Sequence, residues 1–215
     1  NLSVDMVDAE STGDDNWQVN SNSSRLGVKG EEALGNGYSA VYKAEWAVAG
    51  DVAGAGAPDL TGRDRYLGLK ASWGTLKLGA FDSPLKTSQG NVDQFNDMTY
   101  SDMGSYVWGE NRQDNVIGYE SPKIADAITV KVSLQAGETN ADDGFAEAIS
   151  ASVTYEADNL YLAAAMDKDV NNNANPFSSA IGDGRDAIRL TGVFTMDALQ
   201  LGAMLQTSET SDEGP

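Results

Sequence analysis

The side chains able to do chemistry in this 215-residue chain are almost all carboxylates, guanidiniums and ammoniums: 33 Asp and Glu against 14 Lys and Arg, with no His and no Cys. Lacking thiols and imidazoles, the chain can build no disulfide, thiolate metal site, cysteine nucleophile or Ser-His-Asp triad. Paired carboxylates hydrolyse glycosides in other proteins, but among 33 acids no pair is singled out by spacing. The composition points away from an enzyme. The charges that do form a pattern lie in "SSRLGVKGEEALGNGYSAVYKAEW" (23–46). There Arg25 and Lys29 share one side of a run with Leu26 and Val28 on the other, and Lys43 and Glu45 oppose Tyr42, Ala44, Trp46 and Val48. Period-two alternation assigns each set to its own face of a strand. It leaves open which face is the inside.

The elements that must position these charges are strands. After residues 1–8 and the 23–46 hairpin come 63–73, 74–82, a run beginning near 115, then 127–135, 148–156, 159–167, 187–195 and 199–207. About eleven strands result, most near the length that crosses a bilayer at a tilt. The links alternate in length: 33–37, 72–74, 122–126, 156–159 and 196–198 are short, whereas 9–22, 49–62, 82–112, 137–146 and 168–186 are long and polar. A soluble β-sandwich has no reason to lengthen every second loop. An antiparallel up-and-down barrel in a membrane, with short turns at one end and long loops at the other, does.

Mean hydropathy is −0.38 and no segment approaches the ~20 apolar residues of a membrane helix. That excludes helical spans only, since a membrane strand needs just ~9–11 residues, half of them apolar. Tyr38, Tyr66, Trp73, Tyr119, Tyr155 and Tyr161 fall near strand ends, where an aromatic girdle would stand. The net charge of −19 disfavours nucleic acid. Its excess carboxylates gather in turn-like segments at 8–15, 93–102, 138–143 and 209–213. The chain begins inside an alternating run, without an initiator Met, and is expected to be the middle of something longer.

The run Arg-Leu-Gly-x-Lys-Gly-Glu, then Leu-Gly-Asn-Gly and Glu-Trp, resembles the second hairpin of general diffusion porins of Gram-negative outer membranes. The likeness continues through "RDRYLGLKASWGTLKLGAFDSPLK" (63–86) and "NVIGYESP" (115–122) and spans essentially the whole chain. It implies an all-β transmembrane barrel of about sixteen strands in the complete protein, usually a homotrimer with a water-filled lumen. It also implies a single barrel domain over 1–215, with 82–112 folded inward as the constricting loop. Asp93, Asp97 and Asp102 of that loop would supply the acidic side of the constriction, together with Glu45, which matches a lumen-facing acid. Arg25, Arg63 and Arg112 match the basic residues of the opposing wall. Once Leu26, Val28, Tyr42 and Trp46 are put in lipid, Lys29 and Lys43 line the lumen as well. Two departures stand out: Ala80 where porins commonly have Arg, and Asp93-Gln94-Phe95 in place of the Pro-Glu-Phe-Gly-Gly loop motif.

The expected function is passive diffusion of small hydrophilic solutes and ions across the bacterial outer membrane, with weak cation selectivity from the −19 charge. No cofactor is expected; Ca²⁺ or Mg²⁺ bridging the acidic outer loops to anionic lipopolysaccharide is a further expectation. A competing reading is an acidic β-rich binding protein, either an outer-membrane adhesin or a soluble carbohydrate-binding sandwich. The sandwich would bury its Leu and Phe between two sheets.

Overall fold

A computed structural model describes residues 2–9, 14–51, 60–98, 101–110, 112–137, 144–170 and 184–211. Twelve strands run through them: β1 Leu2–Ala9, β2 Asp14–Ser21, β3 Arg25–Gly35, β4 Tyr38–Val48, β5 Leu60–Ala71, β6 Gly74–Asp82, β7 Arg112–Glu120, β8 Ile128–Gln135, β9 Ala148–Ala157, β10 Leu160–Val170, β11 Arg185–Met196 and β12 Leu199–Thr210. β1 and β2 form a hairpin of their own, and β3 to β12 pair in chain order as one antiparallel ten-stranded sheet. Within each of the two sheets every strand pairs with its sequence neighbours, the up-and-down topology that the alternating links imply.

The additional strand is β2, which lies inside the stretch expected to be a long polar link at 9–22. Its sequence, Asp-Asp-Asn-Trp-Gln-Val-Asn-Ser, carries only two large apolar residues, so its alternation is faint. Pairing supplies what the pattern lacks: Trp17 stands opposite Met6 and Val19 opposite Val4. The link that follows is short and turns at Ser23, so the short–long alternation does not extend to this hairpin.

The short turns are built from residues that tolerate positive φ. Asn36 and Gly37 close β3–β4 at φ 53° and 79°, and Asp158 and Asp197 take φ 45° and 51° at the β9–β10 and β11–β12 turns. Short Asn and Asp side chains are among the few that enter this region readily.

One face of the sheet is crossed by the segment between β6 and β7, and this is the inner face. The segment starts with a short helix, α1 (Pro84–Thr87), whose N-cap Ser83 hydroxyl accepts from the Lys86 amide. It includes a 3-10 turn at Met103–Ser105 capped by Asp102. α1 lies against β8, β9 and β10. Beneath the segment the sheet presents small and polar side chains: Ser133, Ser150, Ser152, Asp167, Arg189 and Thr191 are all buried. The apolar cluster of buried residues, Leu85, Trp108, Ala165 and Ala187, sits in the same seam.

The opposite face is the reverse of a soluble protein's surface. Leu190 is 53% exposed and Leu205 72%, while Arg189, next to Leu190 in sequence, is 0% exposed. Leu26, Val28, Leu67, Leu78, Val153 and Leu162 are likewise exposed. A continuous apolar band of this kind has no place against water, and it suits lipid. The question left open by the 23–46 hairpin is thereby decided. Leu26 pairs with Trp46 on the apolar face, and Lys29 with Lys43 on the inner one.

The aromatic girdle divides. Tyr38, Trp73, Tyr119 and Tyr155 are exposed near the short turns, with Trp73 and Tyr119 stacked. Tyr66 and Tyr161 depart from the expectation and face inward. Tyr66 lies edge-on to Phe81 with the Lys77 ammonium 5.4 Å from its ring centre, and the Tyr161 hydroxyl donates to the Ser88 carbonyl in the crossing segment. Each has a polar partner inside, which a phenol at a lipid interface finds in headgroups and water instead.

Candidate functional site: a charged wall and the segment that crosses it

The inner face of β4 to β7 carries a chain of ion pairs. Arg63 reaches Glu45 at 3.0 Å, Glu45 reaches Lys43 at 3.2 Å, and Lys43 reaches Asp64 at 2.7 Å. Asp64 in turn meets Arg112 at 2.7 Å, Arg112 meets Asp82 at 2.7 Å, and Asp82 meets Lys86 of α1 at 3.4 Å. Four cations and three carboxylates thus alternate across four strands and onto the crossing segment. These groups are half-buried, so their mutual fields are screened less than those of a free surface pair.

A β-bulge makes the cluster possible. Ala44 pairs with Arg65 and Trp46 with Gly62, so Glu45 alone on β4 faces both Arg63 and Asp64 on β5. The extra residue re-aims the strand. Arg63 and Asp64, neighbours that strict alternation would put on opposite faces, both reach inward partners. Asp64 is for this reason invisible to a period-two reading, although it holds two cations at once.

Of the residues expected at a constriction, Arg63, Arg112, Glu45 and Lys43 are brought together in this ladder. Arg25 stands apart on β3 and pairs with Asp97 of the crossing segment at 2.5 Å. Lys29 lies opposite Lys43, is exposed, and makes no ion pair among the described residues. Among the described residues Asp93 and Asp102 meet no wall cation. Asp93 accepts from the amides of Phe95 and Met103, and Asp102 from those of Asp97 and Gly104, so both brace the segment's own backbone. That bracing presents Asp97, at φ 71°, toward Arg25.

A second, deeper site holds the segment down. The Arg189 guanidinium is fully buried and donates to Gln206 Oε1 at 2.7 Å, Leu85 O at 3.1 Å, Glu110 Oε1 at 2.7 Å and Trp108 O at 3.0 Å. One side chain on β11 therefore grips both the start and the end of the crossing segment. Gln206 on β12 also donates to Trp108 O, and the Arg185 guanidinium lies 4.8 Å from the Trp108 ring centre. Leu85 N donates to Ser150 Oγ on β9. Burial pushes the Glu110 carboxyl up from its ordinary value, against the pull of Arg189. The signal for this site was present in "AIRLTGVF", where Arg189 interrupts a face otherwise made of the small uncharged side chains Ala187, Thr191 and Val193. The sequence carried no mark of what it would bind, because its partners on the crossing segment lie 79 to 104 residues away.

Among the described residues no cluster of three or more Asp or Glu is placed to hold a metal ion. What the arrangement can do is set up an electric field along the inner face of the sheet, between the wall cations and the carboxylates that meet them. The model of Gram-negative porins matches residues 1–214. Among curated relatives, the chain is 32% identical over 107 residues to the major outer membrane protein P.IB of Neisseria gonorrhoeae, 47% of this chain and 29% of that protein. Among solved structures, it superposes on the anion-selective porin from Comamonas acidovorans with a TM-score of 0.74 at 22% identity, covering 97% of this chain and 65% of the other. It also superposes on the trimer form of OmpT, an outer membrane protein of Vibrio cholerae, with a TM-score of 0.69 at 17% identity, covering 100% of this chain and 64% of the other. The chain spans about two thirds of those solved porins, and its match to the curated relative spans under a third of that protein. An apolar outer band, an inward charged ladder and a segment folded across the inner face all agree with these likenesses: the chain belongs to the Gram-negative porin family, β-barrel proteins of the bacterial outer membrane.

Proposed function

We propose that this chain forms part of the wall, and the constricting segment, of a water-filled channel through which small hydrophilic solutes and ions diffuse passively. The observation that carries the reading is the ladder from Arg63 to Lys86 on the face over which α1, Trp108 and Glu110 are laid, with Leu190 and Leu205 exposed on the other. Residues 1–215 act as one barrel domain with 82–112 as its constricting loop. Arg25, Arg63 and Arg112 form the basic wall, with Lys29 and Lys43 beside them. Asp97 and Glu45 form the acidic side, with Asp93 and Asp102 adding charge while they hold Asp97 in place. Such opposed charges act over distances set by the Debye length, ~8 Å at physiological salt. A polar solute can align its dipole and pass, while an apolar one must displace ordered water. Family membership agrees with the reading of the sequence as non-enzymatic.

The channel is weakly cation-selective because the chain as a whole carries −19. It works as a homotrimer, as the trimer form of OmpT suggests for this architecture. Acidic loops bridged by divalent cations to lipopolysaccharide would add to trimer stability. Of the acidic segments, 138–143 lies outside the described residues. The test is the full-length protein in a planar bilayer under a salt gradient. Stepwise ohmic conductance with a cation-side reversal potential is expected; an anion-side potential ends the selectivity claim, and no conductance ends the channel reading in favour of an adhesin. A chelator that changes neither trimer melting nor lipid retention ends the bridging claim.

A further inference from the structure

Asp167 lies on the inner face of β10 and is 2% exposed, and among the described residues its carboxylate has no cation bound to it and only the neutral Ser150 hydroxyl as a polar neighbour across the ladder. It stands opposite Ser150 in the β9–β10 ladder, under the end of the crossing segment. A Cβ added to Gly109 would lie 3.7 Å from Asp167 Oδ2 and 2.3 Å from Leu85 Cδ2, which shows how closely the segment is laid over it. An ionisable side chain at this depth in a membrane protein calls for a function.

The charges around it do not balance. From the segment, Glu110 faces the same pocket, with Lys86 and Asp102 farther off; from β11 come Arg189 and, across the Trp108 ring, Arg185. β9 contributes only Ser150 and Ser152. Lys86 is paired with Asp82, and Lys168 and Asp169, next along β10, pair with each other. Within the buried seam, two carboxylates, Asp167 and Glu110, therefore share one guanidinium, whose donors are already directed at Glu110, Leu85 O, Trp108 O and Gln206. A carboxylate removed from water without a cation of its own is strongly disfavoured in its charged form, and one neutral hydroxyl offsets only part of that cost. One proton brings the trio to neutrality.

We propose that Arg189, Glu110 and Asp167 form a proton-operated latch on the constricting segment: one proton shared by the two carboxylates holds the segment against β9 to β11, and its loss as pH rises releases the Trp108–Glu110 end. The proton leaves to lumen water. Asp167 then competes with Glu110 for Arg189, and each guanidinium bond turned toward β10 is one withdrawn from the segment. This rests on the channel reading for its consequence, a constriction that loosens with alkalinity, and on the seam geometry alone for the latch itself. Arg189 and Asp167 act here as positioning residues, since neither faces the passage.

The experiment uses the full-length protein in lipid across about pH 5 to about pH 9, the range in which a displaced carboxyl titrates. Limited proteolysis reports access to residues 83–111, and single-channel recording reports closures and open-channel noise. In the wild type, nicking is expected to rise with pH by at most about tenfold per pH unit, the limit for a single linked proton, and noise to rise with it. Asp167→Asn, which cannot ionise, is expected to hold nicking and noise flat at the low-pH level. Glu110→Gln leaves one carboxylate for one guanidinium and is also expected to be flat, so it decides the matter if Asp167→Asn does not fold. A flat wild type overturns the latch, as does a Glu110→Gln or Asp167→Asn protein that keeps the wild-type profile. A protein that conducts nothing yet shows pH-dependent nicking keeps the latch and overturns the channel.

Discussion

Arg112 Nε stands 2.7 Å from Asp64 Oδ1, tying the first residue after the crossing segment to the bulge in β5. The same Asp64 accepts from Lys43 at 2.7 Å, so one carboxylate links cations from two strands that are not neighbours in the sheet. The exit of the segment is thus fixed by an electrostatic contact and not by chain connectivity alone.

Asp64→Asn should remove the charge that both cations share. The expected results are a reversal potential moved toward anions and a barrel less stable by about 1–3 kcal/mol, below the cost of breaking a fully buried pair because these groups are only half-buried. Bilayer recording in a salt gradient and the thermal midpoint of heat-modifiable migration measure the two effects. An unmoved reversal potential would show that the ladder does not face the passage.

Leu190 and Thr129 provide a paired test of which face meets lipid. Leu190→Arg on the apolar face should destabilise the inserted protein by roughly 2–4 kcal/mol if it lies near the bilayer midplane. Thr129→Arg on the inner face should leave stability nearly unchanged and alter conductance instead. Denaturant titration in lipid vesicles separates them. A soluble sandwich would give the opposite ranking, since an exposed Leu there tolerates Arg.

Gly109→Ala meets two obstacles together. Its φ is +89°, and a Cβ would fall 2.3 Å from Leu85 Cδ2 in the seam. The expected cost is about 1–3 kcal/mol of backbone strain plus displacement of the Leu85 contact. Faster protease nicking within 83–111, with the barrel still heat-modifiable, is the expected readout; wild-type resistance would contradict the close seam.

Glu110 sets a pH dependence of known sign. Burial raises its folded value above the ordinary 4.5, so the folded protein binds the proton more tightly than the unfolded chain does. Its stabilising contribution is complete below that ordinary value and is lost as pH rises through the elevated one. A thermal midpoint that falls over this window in the wild type and stays level in Glu110→Gln is expected. A midpoint that rises over the window would reverse the assignment.

Much of the barrel was legible along the chain. Alternation in 127–135 and 199–207, Asn36-Gly37, and the short turns at Asp158 and Asp197 are local features, and backbone geometry reads them locally. The faint strand Asp14–Ser21 was not legible, because its evidence lies in the partners Val4 and Met6. The inward turns of Tyr66 and Tyr161 depended on Phe81, Lys77 and Ser88, which no period reveals.

The sequence by itself determined that charges and apolar residues would occupy opposite faces of a long antiparallel meander, since period two follows from the pleat of a single strand. Which face is the inside was decided only by the tertiary structure, where Leu85, Trp108 and Glu110 cover Arg189 and Leu190 is left exposed. So was the membership of the ladder. Asp64 joins it through a bulge, and Arg189 and Asp167 share the seam through contacts between residues far apart in the chain, and electrostatics depends on distance in space, not in sequence.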